Sequence, residues 1–334
     1  MHPTRPFNRR TALAMALASL AGLTSGALPA LAQTKAAGHD KALRVILPLS
    51  AGSGADGAIR AISTPISKAL GQPLVIENLP GAGGITGTAQ IVRAPKDGDT
   101  IGIVSNNHVV NPSLYKNIPF DSIKDIAPIT IIGTTPFVLV ANPKVPARTV
   151  QELIAHAKAH PGTLNYGSSG NGTILHLGAA MFVEQAQIDV PHIPYKGMGQ
   201  LMNDLLSGQV QLGVVAVAPA MAHIKAGNLR AIGITSAKRS ASLPDVPTIA
   251  EQGLPQYELD GWIAAIAPAG VPKAEMDRLY QGFVQGIASP EAREALIAQG
   301  YEIQLTPPEV AARFMASEKQ RMQAAVKAAQ VKMD

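Results

Sequence analysis

Short apolar segments alternate with helix-length segments along almost the whole chain, and this alternation restricts the possible folds more than any other feature. The segments LRVILPL (43–49), PLVIEN (73–78) and TIGIVS (100–105) have the length of strands, and a helix-length segment follows each of them. A second series of the same kind runs from about 150 to 234. Strands that alternate with helices predict a parallel sheet with crossover helices. The sequence therefore predicts an α/β fold.

Two extended segments connect these series and predict two lobes. The first, APITIIGTTPFVLVANP (127–143), is apolar and is broken only by Gly133 to Pro136; the second, near 257–267, follows a proline-rich connection. A chain that leaves one series by the first segment and returns by the second leaves a cleft between two lobes, with the segments as a hinge. We expect a signal peptide over 1–32, lobe 1 over 33–140 and 259–334, and lobe 2 over 141–258.

The first 32 residues have the composition of an export signal. Three arginines precede an apolar run from 11 to 23, and Ala30-Leu31-Ala32 offers a cleavage site before Gln33. The run is too short for a membrane-spanning helix. The paired arginines in NRRTAL fit the twin-arginine route, and an ordinary Sec signal fits equally well. We expect a periplasmic protein that is cleaved near Ala32/Gln33.

The net charge of the exported chain and its lack of cysteine exclude several kinds of site. Three of the 28 lysines and arginines lie in the signal, so the remaining chain carries 25 basic and 23 acidic residues and is close to neutral. We find no basic stripe with interleaved aromatics, which excludes nucleic acid as an expected partner. The chain has no cysteine, so it has neither disulfides nor thiolate metal sites.

A glycine-rich turn, LPLSAGSGADG (47–57), follows the first strand, and its glycines have the spacing G-x-G-x-x-G. With Glu77 at the end of the next strand, this pattern is consistent with a dinucleotide site. Export argues against that interpretation, and Asp56 would place a negative charge beside the pyrophosphate. We expect Asp56 to cap a helix that begins near Gly57. A turn of this kind presents free N–H groups that bind a carboxylate as well as a phosphate.

A second small-residue turn, GSSGNGT (167–173), repeats the order strand, turn, helix. Two such turns on facing lobes would hold an anion from both sides, although each one alone is also an ordinary connection. A secreted hydrolase remains an alternative, because Ser53, Ser168 and Ser169 lie in such turns. The sequence has no G-x-S-x-G or H-E-x-x-H motif, and no Ser, His and acid can be assigned as a triad.

A series of motifs, taken in order, resembles the substrate-binding proteins of tripartite tricarboxylate transporters, the Bug or TctC-like family. The resemblance runs from about Leu43 to the C-terminus and rests on LPLSAGSGAD (47–56), ENLPGAGGITG (77–87), NPSLY (111–115), GTLNYGSSGNGTILHL (162–177), IPYKG (193–197), TSAKRSASLPDVPTIAEQGLP (235–255) and GWIAAIAPAGVP (261–272). It implies a two-lobed periplasmic-binding-protein fold, type II-like, with the ligand cleft between the lobes. It also implies a monomeric receptor that closes on a carboxylate and delivers it to a membrane permease, without a cofactor or metal.

The resemblance also implies where the solute lies. One carboxylate is typically held by the first turn, here Ser50 to Gly54, and the second turn faces it. Family members often carry Phe where Leu49 stands and Asp near Val215. Since LGVVAVAPA (212–220) has no charged residue, we expect an apolar wall and a dicarboxylate with an apolar or aromatic body. The predicted ligand-binding residues are Leu49, Ser50, Gly52, Ser53, Gly54, Asp56, Asn107, Ser168, Gly170, Asn171, Thr173, His176, Asp204 and Val215.

Overall fold

The computed structural model describes residues 41–329 and Val331. The predicted signal peptide and its cleavage site near Ala32/Gln33 lie outside the described residues. Within the described part of the chain, no helix is both long enough and apolar enough to span a bilayer.

Ten strands and ten α-helices follow one another in the order that the sequence predicts for an α/β protein. The strands are β1 (Leu43–Leu47), β2 (Leu74–Asn78), β3 (Thr100–Ser105), β4 (Ile126–Ala141), β5 (Tyr166–Ser168), β6 (His192–Pro194), β7 (Leu212–Ala216), β8 (Arg230–Ile234), β9 (Asp260–Pro268) and β10 (Glu302–Ile303). The helices are α1 (Gly54–Leu70), α2 (Ile85–Arg93), α3 (Asn107–Leu114), α4 (Val150–Ala159), α5 (Ile174–Ala186), α6 (Met198–Ser207), α7 (Val217–Lys225), α8 (Lys273–Ile287), α9 (Pro290–Ala298) and α10 (Pro308–Ala328). A 3₁₀ turn, Ala82–Gly84, precedes α2.

The described strands form one continuous sheet in the order β2-β1-β3-β9-β4-β7-β5-β6, with β8 and β10 also paired to β4. Strand β1 is parallel to β2 and β3, and β5 is parallel to β6 and β7. These two parallel groups confirm the prediction of βα units. We call the part of the molecule around β1, β2 and β3 the first lobe, and the part around β5, β6 and β7 the second lobe.

Strand β4 is shared by both lobes. Its first part, up to Pro136, pairs with β9, and its last part, from Phe137, pairs with β7 and β8. The predicted break at Gly133 to Pro136 is wrong, because the strand continues through these residues. Gly133 and Thr134 pair with both β9 and β10, and the irregularity is absorbed upstream as two register shifts between Pro128 and Gly133.

Trp262 is buried against helix α10. It lies on β9 and is 1% exposed. Its indole N–H donates to Glu318 on α10 at 3.2 Å, and its ring meets Phe314 edge-on. Helix α10 therefore covers the strands that connect the two lobes.

Candidate functional site

The first turn connects β1 to α1, and the helix begins earlier than predicted. Helix α1 starts at Gly54, and Ser53 is its N-cap, because the Ser53 hydroxyl accepts a hydrogen bond from the Asp56 amide at 3.3 Å. The prediction that Asp56 caps a helix starting near Gly57 is therefore wrong. Both residues have the side chain of a capping residue, but only Ser53 has the extended backbone that a cap requires.

Asp56 instead holds the turn from inside the helix. Its side chain is almost fully buried and accepts hydrogen bonds from the Gly52 amide (2.9 Å), the Asn78 amide group (3.0 Å) and Arg60 Nε (2.9 Å). Burial opposes ionisation, but these donors outweigh it and keep the pKa of Asp56 below its ordinary value. The carboxylate is thus engaged by the protein itself.

The bonds within the first turn determine which amides are available to a ligand. Gly52 donates to Asp56, and Ser53 donates to the Ser50 carbonyl at 3.2 Å. The amides of Ala51, Gly54 and Ala55 have no hydrogen-bond partner among the described residues. Amides at the N-terminus of a helix such as α1 are suited to an anion.

The second turn has the same plan at the start of α5. Thr173 is the N-cap, and its hydroxyl accepts a hydrogen bond from the His176 amide at 3.2 Å. Gly170 and Gly172 have φ of 144° and 71°, which few other residues adopt. Within the part of the chain that the structure describes, the amides of Ser169, Asn171 and Leu175 have no hydrogen-bond partner.

Beneath the second turn, three rings form a stack that we call the imidazole stack: Tyr166, His192 and His176. The two imidazoles are nearly parallel with ring centroids 3.8 Å apart, and Tyr166 lies 4.9 Å from His192. Burial lowers the pKa of each histidine to about 4, and His192 contributes to the shift of His176. Both rings are therefore neutral at neutral pH.

The hydrogen bonds of the stack connect it to the turn. His176 Nδ1 accepts the Gly172 amide at 3.1 Å, so its proton is on Nε2. His192 Nε2 lies 2.7 Å from the Ser168 hydroxyl. Sequence reasoning missed His192. The only signal was register, since His192 pairs with Tyr166 across β6 and β5. Ser168 has no exposed surface, so it supports the turn rather than reaching a solute.

Asn107 brings the two lobes together. It is the first residue of α3, one residue beyond the end of β3, and its Oδ1 accepts a hydrogen bond from the amide of Ile174 at 3.1 Å. Ile174 begins α5, so a side chain of the first lobe satisfies a free amide of the second turn. Asn107 also lines a small pocket together with Leu49. The structure thus joins Leu49, Asn107 and the second turn, which the sequence predicts separately.

Two further predicted residues, Asp204 and Val215, have their contacts within the second lobe. Asp204 on α6 accepts a hydrogen bond from the Tyr195 hydroxyl at 2.8 Å, and burial together with this carboxylate raises the pKa of Tyr195 to about 12. Val215 on β7 is fully buried in an apolar cluster of the second lobe. The side chain of Val215 therefore has no exposed surface in this conformation.

Glu77, the acidic residue that a dinucleotide site would use, is paired with a basic residue of the protein. Glu77 on β2 forms an ion pair with Arg44 on β1, with Arg44 Nη2 2.7 Å from the carboxylate. No cluster of three potential metal ligands occurs among the described residues.

Comparison with known proteins identifies the family. Residues 58–331 match the model described as the tripartite tricarboxylate transporter family receptor. The solved structure of the periplasmic binding protein BugD is 30% identical, with a TM-score of 0.80 over 88% of this chain and 99% of BugD. An R. palustris protein solved with adipate is 28% identical, with a TM-score of 0.80 over 88% of this chain and 98% of that one.

MatC from Rhodopseudomonas palustris, solved with bound malate, is 26% identical, with a TM-score of 0.78 over 86% of this chain and 99% of MatC. These similarities confirm the two-lobed periplasmic-binding-protein fold. The family consists of solute receptors and not of enzymes, so the hydrolase and dinucleotide alternatives are set aside. The chain belongs to the tripartite tricarboxylate transporter receptor family, the group of periplasmic receptors that includes the Bug proteins.

Proposed function

We propose that this protein captures a dicarboxylate between its two lobes and delivers it to the permease of a tripartite tricarboxylate transporter. The observation that carries the proposal is the pair of glycine-rich turns. The first turn offers the amides of Ala51, Gly54 and Ala55, and the second offers those of Ser169, Asn171 and Leu175. Both sets lie at helix N-termini, whose dipoles also attract anions.

Neutral donors are sufficient to hold a carboxylate. Hydrogen bonds from amides to an ionised oxygen are charge-assisted and about twice as strong as those between neutral groups. The lining of the pocket beside Leu49 and Asn107 contains no lysine or arginine. The predicted contacts at Ser50, Gly52, Ser53 and the second turn stay predictions.

Lobe closure is the mechanism that we propose. A ligand that contacts both sets of amides stabilises the closed form by its additional contacts there. Strands β4 and β9 connect the lobes and would bend as the hinge. The lobe boundaries at 140/141 and 258/259, the monomeric state and removal of the signal near Ala32/Gln33 stay predictions.

A ligand with an apolar body is favoured by the second lobe. The stretch 212–220 contains no charged residue that would pair with an ammonium group. A relative of known structure holds adipate, whose two carboxylates are separated by methylene groups only. We therefore propose an aliphatic or aromatic dicarboxylate, recognised mainly at its two ends.

A thermal-shift screen tests the proposal. The exported protein is heated with mono-, di- and tricarboxylates, and with NAD and amino acids as controls. A ligand that binds only the folded state raises the melting temperature. We expect a rise with dicarboxylates and none with the controls. A rise with NAD, or none with any carboxylate, would contradict the proposal.

A further inference from the structure

Two consecutive asparagines follow β3, and their side chains bind different parts of the molecule. Asn106 is 1% exposed; its Nδ2 donates to the Asp260 carbonyl and its Oδ1 accepts a hydrogen bond from the Trp262 amide, each at 2.9 Å. Asp260 and Trp262 lie on β9, which connects the two lobes. The start of α3, and with it Asn107, is therefore fixed to this strand.

Asn107 binds the other lobe. Its Oδ1 accepts a hydrogen bond from the Ile174 amide at 3.1 Å. The oxygen, and not the Nδ2 group, faces Ile174, because a backbone N–H only donates. Among the described residues, no other hydrogen bond links the stretch 43–125 to the stretch 150–256. The side chain of Asn107 thus supplies the direct hydrogen bond between the two groups of βα units.

The two asparagines differ in how the rest of the protein holds them. Both ends of the Asn106 amide are bonded to β9, and the residue is buried, as is typical of a structural side chain. Asn107 is partly exposed, and its Nδ2 has no hydrogen-bond partner in the described part of the chain. The bond to Ile174 is therefore the one hydrogen bond that fixes the Asn107 side chain.

The donor is an amide that the second lobe does not satisfy by itself. Ile174 is the first residue of α5, and the amide of a first helical residue has no partner within its own helix. The hydroxyl of the N-cap, Thr173, accepts the His176 amide instead. If the lobes move apart, Ile174 and Asn107 exchange their bond for bonds to water. The bond therefore stabilises only the form in which the lobes are together.

We propose that Asn107 is a positioning residue that latches the closed form, because it binds Ile174 only when the two lobes are together. The inference rests on the proposed function, since a latch retains a solute only if the lobes close on that solute. A solute that stabilises the closed form gains this bond whatever its own structure. The latch therefore strengthens the binding of different dicarboxylates by the same factor and does not select among them.

A double-mutant cycle on the two ends of the bond tests the proposal. Asn107→Ala removes the acceptor, and Ile174→Pro removes the donor. Proline is favoured at the first position of a helix, and the extended backbone of Thr173 (φ −72°, ψ 157°) suits a residue before proline, so α5 is kept. Titration calorimetry with succinate, malate and adipate measures the affinity. We expect each variant to bind roughly 3-fold to 10-fold more weakly, and Asn107→Ala to cause no further loss in the Ile174→Pro background.

Two controls separate the bond from the side chains around it. Ile174→Ala keeps the amide and removes the side chain, so Asn107→Ala should still cause its full loss in that background. Asn228→Ala, exposed on the turn after α7, should bind as the wild type does. Wild-type affinity in Asn107→Ala, or a full further loss in the Ile174→Pro background, would overturn the latch and leave the proposed function intact. If the wild type binds none of the three dicarboxylates, the proposed function fails, and the latch fails with it.

Asn107→Ala alone decides the proposal if Ile174→Pro does not fold. The bond to Ile174 does not involve the solute, so its loss should weaken the binding of succinate, malate and adipate by the same factor. A loss confined to one of these ligands would show that Asn107 acts through a contact with the solute, and would overturn the proposal.

Discussion

The first and second turns reach the same arrangement with different buried chemistry. In both, the N-cap hydroxyl accepts the amide of the third helical residue, at 3.3 Å for Ser53 and 3.2 Å for Thr173. In both, the side chain of that third residue accepts a hydrogen bond from the amide of the glycine before the cap, which is Gly52 in the first turn and Gly172 in the second. The first turn uses the carboxylate of Asp56 and the second uses the neutral imidazole of His176.

This difference determines how each turn responds to its surroundings. Asp56 is ionised over the physiological range and has a cationic neighbour, Arg60, at 2.9 Å. His176 is neutral and stacks on His192, which is neutral too. The first turn therefore depends on charge, and the second depends on the absence of charge. The following variants test that distinction, beginning with the largest expected effect.

Asp56→Ala should destabilise the protein more than His176→Ala. The alanine removes the carboxylate that accepts hydrogen bonds from three donors. One of these donors, Arg60, also forms an ion pair with the nearly buried carboxylate. We expect the free energy of unfolding to fall by about 3 kcal/mol, since hydrogen bonds to charged groups are the strong ones. Denaturant unfolding measures the loss, with Asp277→Ala on the exposed face of α8 as the control. Equal losses at positions 56 and 176 would refute the distinction.

Gly54→Val should weaken ligand binding without a comparable loss of stability. A Cβ added to Gly54 would have no atom within 4 Å, and the backbone there has no strained φ, so the fold accommodates the new side chain, which is attached next to the free amides of Gly54 and Ala55. We expect a loss of affinity of roughly 10-fold to 100-fold, because bonds to an ionised group are removed. Gly199→Val, at an equally open position in α6, is the matched control.

Titration calorimetry and a thermal melt together read out this experiment. Unchanged affinity in Gly54→Val would contradict the assignment of the first turn as a ligand site. A loss of affinity that appears equally in Gly199→Val would show that the effect is not specific to the turn.

The imidazole stack should make stability fall in mild acid. The pKa of His192 is about 4 in the folded protein, below the ordinary value of 6.5. Between these values the unfolded chain binds more protons, so the free energy of unfolding decreases as the pH falls from 6.5 to 4. The pKa values of His176 and of the buried His108 on α3 are also lowered to about 4, so these two histidines decrease stability in acid in the same way. Protonation of Asp56 lowers the stability only at still lower pH, below the ordinary pKa of an aspartate.

Replacing His192 with Phe keeps a ring in the stack and removes one of the imidazoles that bind a proton when the chain unfolds in mild acid. We expect the melting temperature of His192→Phe to fall less steeply between pH 6.5 and 4.5 than that of the wild type. His223→Phe, which replaces a histidine on α7 outside the stack, controls for the loss of an imidazole elsewhere in the protein. Parallel curves for the wild type and His192→Phe would contradict the predicted role of the stack.

The sequence predicts the α/β fold and both turns because local patterns determine them. Apolar runs give the strands, and glycines that need positive φ mark the turns. The predicted start of α1 is wrong because Ser53 and Asp56 are both good capping residues, and backbone conformation decides between them. The continuity of β4 depends on pairing with β9 and β10, which lie more than 100 residues later in the chain.

The buried supports of the site could not be predicted in the same way. His192 reaches Ser168 across two strands that lie 24 residues apart, and Asn107 reaches Ile174 across 67 residues. No local pattern marks such partners, because each contact depends on strand register or on the position of the lobes.

Asp260 on β9 supplies the smallest effect, and its sign is opposite to that of the stack. Burial, reinforced by Glu258, raises the pKa of Asp260 on β9 to about 6, above its ordinary value of 3.8, although Arg321 opposes the shift. Between these values the folded protein binds more protons, so Asp260 lowers stability as the pH rises from 3.8 to 6. Asp260→Asn removes this cost. We expect its melting temperature to rise by about 2 °C at pH 7.5 and to be unchanged at pH 4.

In the wild type, the contribution of Asp260 partly offsets that of the imidazole stack over the same range of pH. Asp260→Asn should therefore show a steeper loss of stability in acid than the wild type, whereas His192→Phe shows a shallower one. Thermal melts of both variants and of the double variant across pH 4 to 7.5 measure the two contributions. A wild-type slope in Asp260→Asn would mean that the carboxylate of Asp260 does not titrate in this range and that the stack alone determines the response to acid.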